Sequence, residues 1–421
     1  MEILLPKETN IDWQELLNQV VSNKPMSSFN HLILLFIQEF SCAIINNKEF
    51  IQYPESIAMA QWFCEARLNE LYQSYELRRK NRIWLPRGVV LHFAPINVDS
   101  LFIDSWFLSL LVGNVNIVRL SQDRSKQVHL LLNVLNSILE QERFKEIRER
   151  NLIVSYGHDE LTTKKLSEFC HVRIIWGGDE TIRQIRSIPL PPRTTELVFA
   201  DRFSMAAIKA DAVLQSLDNE INNLAKAFFR DTFRFNQSAC SSPRFIFWIG
   251  EEEDISRAKN YFWTAFEKVM YQENLDWNEG VGISRMVAGY RYVAEGIADK
   301  LSTPGIELPY RVHVKNYKEN LREIHSGGGL FLETEKSNLM GILELITFKD
   351  QTLAVFGFSK NELEEFAWKL GGRGIDRIVP IGQALSFQIV WDGYDILTYL
   401  TREVTISGEE KPTSDITMRL P

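Results

Sequence analysis

From Val89 to Ser187 the sequence alternates short apolar runs with amphipathic segments, and no other feature restricts the fold as much. Val89-Val90-Leu91 and Phe93-Ala94 make Ile83–Pro95 nearly continuous in apolar character, the pattern of a strand buried on both faces of a parallel sheet. The run stops at Pro95. Asn97, Asp99 and Ser100 can cap the helix expected over Leu101–Leu111, and Gly113-Asn114 ends it. Val115–Leu120 is a second apolar strand, completing a strand-helix-strand unit. The pattern then repeats with a helix over Gln127–Gln141, a strand over Leu152–Ser155 and a helix over Glu160–Phe169. A further strand, Val172–Trp176, runs through Gly177-Gly178-Asp179 into the helix Glu180–Ser187. Such alternation predicts an α/β fold with a doubly wound parallel sheet, whose ligands sit at the carboxyl ends of the strands.

The flanks read differently. Residues 1–80 are expected to be a helical segment, with His31–Phe40 apolar and Ser56–Arg79 carrying Ile57, Ala60, Phe63, Cys64, Leu68 and Leu71 at helical spacing behind Pro54. That segment has no catalytic cluster, which makes it packing or a partner surface. Ile188–Arg193, with three prolines, reads as a linker before the strand Thr195–Ala200. Helical Val213–Arg230 leads to a polar loop, the strand Phe245–Ile249 and a helix from about Glu252 with an acidic first turn. Gln272–Gly282 is polar and read as irregular. Further on, Gly327-Gly328-Gly329 marks a loop, Leu330–Leu332 and Gln351–Gly357 strands, and Asn361–Leu370 a helix stopped by Gly371-Gly372. Ile375–Ile406 mixes short strands and turns, and the tail Ser407–Pro421 is polar and expected to be loosely held. The expected division is 1–80, 81–200, 201–375 and 376–421.

Composition excludes several classes. With 421 residues the chain can hold two or three domains, and a net charge of -8 leaves no basic excess for nucleic acid. The longest apolar stretch, Leu101–Val118, is broken by Asp104, Asn114 and Asn116, so no membrane span is expected. Cys42, Cys64, Cys170 and Cys240 lack metal-ligand spacing, and no secretory signal precedes them, which fits free thiols in the cytoplasm and no metal site. Walker-type, G-x-S-x-G and H-E-x-x-H motifs are missing, and Gly371-Gly372-Arg373-Gly374 follows a helix, as a helix stop does.

One candidate nucleophile remains. Asp231–Arg244 (DTFRFNQSACSSPR) sets Cys240 among Ala239, Ser241 and Ser242, just ahead of Pro243 and a buried strand. Most lone cysteines are merely core. Here the small neighbours leave the sulfur accessible and let backbone N–H groups face a developing oxyanion.

The order of Asn97, Arg119, Gly177-Gly178, Glu196, Asn236 and Cys240 resembles the aldehyde dehydrogenase superfamily. The wording is more similar still to the LuxC-type acyl-CoA reductases, the fatty acid reductases. The segments are PRGVVLHFAP (Pro86–Pro95), LVGNVNIV (Leu111–Val118), WGGDETI (Trp176–Ile182), LPPR (Leu190–Arg193), FADRFS (Phe199–Ser204), FNQSACSSP (Phe235–Pro243), RIVPIG (Arg377–Gly382) and WDGYD (Trp391–Asp395). The resemblance implies an aldehyde-dehydrogenase-like fold: a Rossmann-type cofactor domain, a second α/β catalytic domain and the helical N-terminal segment.

It also implies roles. Cys240 is the expected nucleophile, taking an acyl group from a thioester that a nicotinamide hydride then reduces to the aldehyde. Asn97 joins the oxyanion hole, while Asn236 is read as scaffolding. Glu196 corresponds to the general base of aldehyde dehydrogenases, although Val198-Phe199 replaces the two glycines that follow it there. Ala94, Pro95, Arg119, Ser121, Gly177, Gly178 and Glu344 are the implied cofactor residues. Arg119, with Arg124 and Lys126 near it, leans towards the 2′-phosphate of NADPH, with NADH an alternative. Acidic Asp179 and Glu180 turn Gly177-Gly178 towards the nicotinamide half. An acyl-CoA or acyl-carrier substrate, an acyl-protein synthetase partner on the N-terminal segment and a homo-oligomer built through Tyr399–Ile406 complete the implied picture. An NAD(P)-dependent aldehyde dehydrogenase releasing acid and a non-catalytic scaffold subunit are the competing readings.

Overall fold

A computed structural model describes residues 1–7, 11–273, 279–305 and 307–407. Two sheets dominate it. The first is six-stranded, in the order Glu2–Leu5, Asn151–Ser155, Val115–Leu120, Val89–Phe93, Val172–Trp176, Thr195–Phe199. Five of these strands are parallel, and Glu2–Leu5 pairs antiparallel with Asn151–Ser155 at the edge. From Val89–Phe93 the chain builds outward to one side and then returns to the other, so the strand order reverses between Val89–Phe93 and Val172–Trp176. Ala94-Pro95 and Gly177-Gly178 follow those two strands and open on that switch point.

The second sheet is seven-stranded: Ala298–Ser302, Tyr310–Val314, Leu330–Lys336, Pro243–Ile249, Phe203–Lys209, Asp350–Phe356, Arg377–Pro380. All its pairings are parallel except that of Ala298–Ser302. Helices Asp218–Phe233 and Glu252–Glu273 cover one face through an aromatic cluster of Phe228, Phe262, Phe266, Trp248 and Phe331.

Several expectations change. The N-terminal segment is not a separate helical unit, since it donates the edge strand Glu2–Leu5 and its helices enter the core of the first sheet. A four-residue strand with one buried side chain leaves no periodicity to read. The expected helix Ser56–Arg79 is two helices, Pro54–Trp62 and Glu65–Arg79, because Cys64 between them is extended. Arg377–Pro380 pairs with Asp350–Phe356, so a boundary at 375 severs a strand from its sheet. Within Tyr399–Ile406, the stretch expected to join copies of the chain, Thr401–Val404 pairs antiparallel with Ile83–Pro86 of its own chain. Gly282, read as irregular, lies in the helix Glu279–Ala294, while 274–278 and the tail 408–421 are outside the described residues. Among the described residues no helix is long and apolar enough to cross a membrane, and no cluster of metal-ligating side chains is present.

The junction of N-terminal helices and sheet is a knot of rings. Phe107 lies edge-on to Phe36, Phe40 and Phe63 at centroid distances of 5.7, 5.2 and 5.2 Å, and all four are fully buried. Phe107→Ala is expected to cost about 3–5 kcal/mol, read as a lower urea midpoint with one transition still covering both N-terminal helices and sheet.

Candidate active site

The two sheets meet end to end around a cavity of about 720 Å³, in the range that holds a cofactor-sized ligand. The first sheet contributes the carboxyl ends of its strands, through Ala94, Pro95, Arg119, Ser121, Gly177 and Gly178. The second sheet contributes its amino ends, because the loops before Phe203–Lys209 and Pro243–Ile249 carry Asp201 and Cys240 to the wall. The carboxyl-end rule therefore holds for one sheet only.

Cys240 sits on a loop held from below. Asn236 and Gln237 both have positive φ, 49° and 57°. Gln237 is fully buried; its Nε2 donates to Pro243 O (3.1 Å) and Leu330 O (3.2 Å), and its Oε1 accepts from Gly329 N (2.7 Å). Gly328 N donates to Asn236 O at 2.9 Å, and a Cβ on Gly327 would come within 3.1 Å of that same oxygen, so the triple glycine fits the underside of the loop. Ser204 Oγ donates to Cys240 O at 2.7 Å.

The thiol is desolvated. Burial pushes it up to about 11, and the nearby Asp392 carboxylate adds to the rise; a hydrogen bond from Gln351 and the guanidiniums of Arg244 and Arg202 oppose it. Gln351 Nε2 lies 3.4 Å from Sγ and donates to Asp392 Oδ1 at 2.5 Å.

Asn97 reaches the loop from the first sheet's side, where its Nδ2 donates to Ser238 O at 3.2 Å. Asn97 and Cys240 line one cavity. Arg119 is half-buried, lies over the Tyr156 ring at 5.3 Å and donates to Tyr156 O at 2.8 Å. Arg124 does not join it, being bound to Ser155 Oγ, Ser121 O and Glu2. Trp176 and Phe199 stack with centroids 3.7 Å apart and 12° between planes, giving the cavity a flat apolar wall.

Two implied residues stand elsewhere. Glu196 does not line the cavity; Arg173 and Arg186 bind its carboxylate at 2.5 and 2.9 Å. Its strand reaches the cavity only at Phe199, and at roughly 3.3 Å per residue Glu196 stands about 10 Å back. Glu344 is exposed on the short helix Leu339–Leu345 and is likewise away from the cavity.

Residues missed in the sequence are informative. Gln351, Asp392 and Arg202 surround the sulfur from distant segments, and no local spacing links them. Asp104, noted only as a break in an apolar run, lines the cavity, and burial pushes its carboxyl well above the usual carboxylate range. Asp231, buried and bound to Gly382 N and Ala384 N, is pushed up to about 7 by desolvation.

The architecture is that of an aldehyde dehydrogenase. Aldehyde dehydrogenase 21 from Physcomitrella patens superposes with a TM-score of 0.69 at 11% identity, covering 94% of this chain and 90% of that one. An oxidoreductase from Marinobacter aquaeolei gives 0.66 at 11% identity, over 93% and 89%. An NAD-dependent benzaldehyde dehydrogenase from Corynebacterium glutamicum gives 0.61 at 12%, over 93% and 87%. No curated protein matches the sequence. Residues 69–403, well over half of the chain, match the acyl-CoA reductase (LuxC) family, and the chain belongs to it. Family and fold together make it an oxidoreductase of aldehyde-level chemistry.

The placement of Glu196 yields a direct test. Glu196→Gln is expected to lower stability by about 3 kcal/mol, because it strands the buried Arg173 guanidinium, while the alkylation rate of Cys240 stays at the wild-type value. Urea denaturation and peptide-resolved mass spectrometry check the two halves.

Proposed function

We propose that the protein reduces an acyl-CoA, or a carrier-bound acyl thioester, to an aldehyde through an acyl group held on Cys240, with NADPH as the reductant. The observation that carries this reading is the meeting of Cys240 and Asn97, from opposite sheets, in a cavity whose other end is the switch point of a doubly wound sheet.

The residues fit a nicotinamide dinucleotide. A Cβ added to Gly178 would meet nothing within 4 Å, so backbone is open to a ligand there. Among the described residues Arg119 spends one hydrogen bond, on Tyr156 O, and keeps further N–H donors for a phosphate. Ala94, Pro95, Ser121, Gly177 and Gly178 would complete its seat. A bound nicotinamide supplies the hydride that takes an acyl thioester to the aldehyde level.

The chain's own residues do the rest. Cys240 sulfur attacks the thioester carbonyl, the carbon–sulfur bond to CoA breaks, and CoA leaves as its thiol with the proton that Cys240 gives up. Asn97 keeps a second amide N–H beyond the one given to Ser238 O, suited to the carbonyl oxygen as it becomes an oxyanion. Exposed Arg230 and Arg234 on the cavity wall suit an anionic donor, and Met59, Trp62, Leu101 and Phe387 suit an acyl chain. The acid-releasing alternative needs a base to activate water, and Glu196 is bound elsewhere by two guanidiniums. A protein that delivers the acyl group and a homo-oligomer are expected companions. Most apolar side chains of the N-terminal helices are spent on the core, which leaves Ile45, Ile51, Tyr72 and Leu77 for such a contact.

Intact mass after mixing with a panel of acyl-CoAs, without nucleotide, should show an acyl adduct on the wild type and none on Cys240→Ala. No adduct with any thioester sinks the CoA-dependent form of the reading. Arg119→Ala should raise the KM for NADPH about tenfold, or about 1.4 kcal/mol, with a smaller change for NADH. Equal changes for the two nucleotides would remove Arg119 from the 2′-phosphate.

A further inference from the structure

We infer that Gln351 and Asp392 form a positioning pair for the nucleophile: the Gln351 amide donates to the Cys240 sulfur, and Asp392 fixes which end of that amide faces it. The inference rests on Cys240 being the nucleophile of the reading above.

The geometry leaves little freedom. One atom, Gln351 Nε2, makes both contacts, 3.4 Å to Sγ and 2.5 Å to Asp392 Oδ1. A carboxylate only accepts, so the nitrogen end of the amide must face Asp392, and the same NH2 group is then presented to the sulfur. Thr352 Oγ1 donates to Gln351 Oε1 at 3.3 Å, which agrees with that orientation. Gln351 is fully buried, so water does not compete for the amide.

Asp392 arrives from the first sheet's side of the cavity. It occupies, with Gly393, the tip of a hairpin between Val390–Trp391 and Tyr394–Asp395, and φ of 48° and 75° at the two positions suits a tight two-residue turn. The hairpin belongs to the first sheet's core through Ile389, Trp391 and Ile396, and Asp395 is bound by Arg78 of the helix Glu65–Arg79. Its tip crosses to the second sheet, where Arg202 Nη1 lies 3.8 Å from Asp392 Oδ1. The first unit thus places a carboxylate on the amide that touches the sulfur.

The pair has two opposed effects. A hydrogen bond to sulfur favours thiolate over thiol, whereas the Asp392 charge disfavours it. The other charged groups facing the thiol are Arg244 at the start of Pro243–Ile249, Arg202 ahead of Phe203–Lys209, and Arg377 on the edge strand.

Opposite signs make the test sharp. Iodoacetamide alkylation of Cys240 is followed peptide by peptide from pH 6.5 to 10, with exposed Cys42 as the internal control. Asp392→Asn keeps the shape and removes the charge, so alkylation at a given pH should be about tenfold faster and the rising profile should move down by about one pH unit. Gln351→Leu removes the donor and should slow alkylation by a similar factor, moving the profile up. Unchanged profiles, or shifts of the same sign in both variants, overturn the inference, since packing damage alone loosens the loop in both. Should Gln351→Leu fail to fold, Gln351→Met, which keeps the chain length and removes the donor, takes its place with the same expected upward shift. The readout needs no acyl donor or nucleotide. Normal alkylation shifts without acylation by any thioester would sink the proposed function and leave the pair standing; normal acylation with unshifted profiles would sink the pair alone.

Discussion

The loop that carries Cys240 depends on one buried carboxamide. Gln237 sits at φ 57°, a conformation that costs about 1–3 kcal/mol for a non-glycine residue, and it has no exposed surface. Its three hydrogen bonds to Pro243 O, Leu330 O and Gly329 N offset that cost and tie the loop to two adjacent strands of the second sheet. Arg244 adds a fourth tie, donating Nε and Nη2 to Gln237 O at 3.2 and 3.0 Å. The position of Cys240, three residues on, is therefore inherited from the sheet rather than from the loop's own length.

Because the second sheet presents its amino ends and the first its carboxyl ends, the two units can share one cavity without sharing a strand. What joins them is a small set of side chains: Asn97 on the cysteine loop, and the hairpin tip at Asp392 on Gln351 and near Arg202. Arg377 works beneath the hairpin. Its guanidinium lies 4.4 Å from the Trp391 ring centroid and donates to Ala384 O and Ser386 O, so an edge strand of the second unit carries the base of a hairpin packed on the first. Burial lowers that guanidinium to about 10, which still leaves it charged at neutral pH. A guanidinium buried within electrostatic reach of Cys240 is worth more to a thiolate there than a solvated one would be.

Much of this was legible in the chain. Strand-like runs such as Val89–Phe93 and Val172–Trp176, buried at every residue, announce a parallel sheet because both faces must be apolar. The cysteine loop was legible because small residues, a proline and a following strand fall together. Glu196 falls in the motif order of a general base, but along its strand it stands three residues before Phe199, the one that reaches the cavity. Gln351 and Asp392 carried no local signal at all. Gln351 sits in what reads as an ordinary strand and Asp392 in an Asp-Gly turn, and only the pairing of distant strands brings them within reach of Cys240. Long-range contacts of this kind leave no periodicity in a sequence, so propensity and spacing stay silent about them.

A thiol pushed to about 11 looks poorly suited to nucleophilic attack, since holding it ionised at pH 7 costs roughly 5 kcal/mol. The thioester exchange proposed above would lessen the difficulty. The proton lost by Cys240 is the one the departing CoA sulfur needs, so the net step trades one thiol for another and builds up no charge overall. A neutral, desolvated thiol is then a consistent resting state, because it reacts slowly with adventitious electrophiles and oxidants, which attack the thiolate. On the proposed route, reactivity would rise when a thioester oxygen draws on the second Asn97 amide N–H and the exchange runs with its proton.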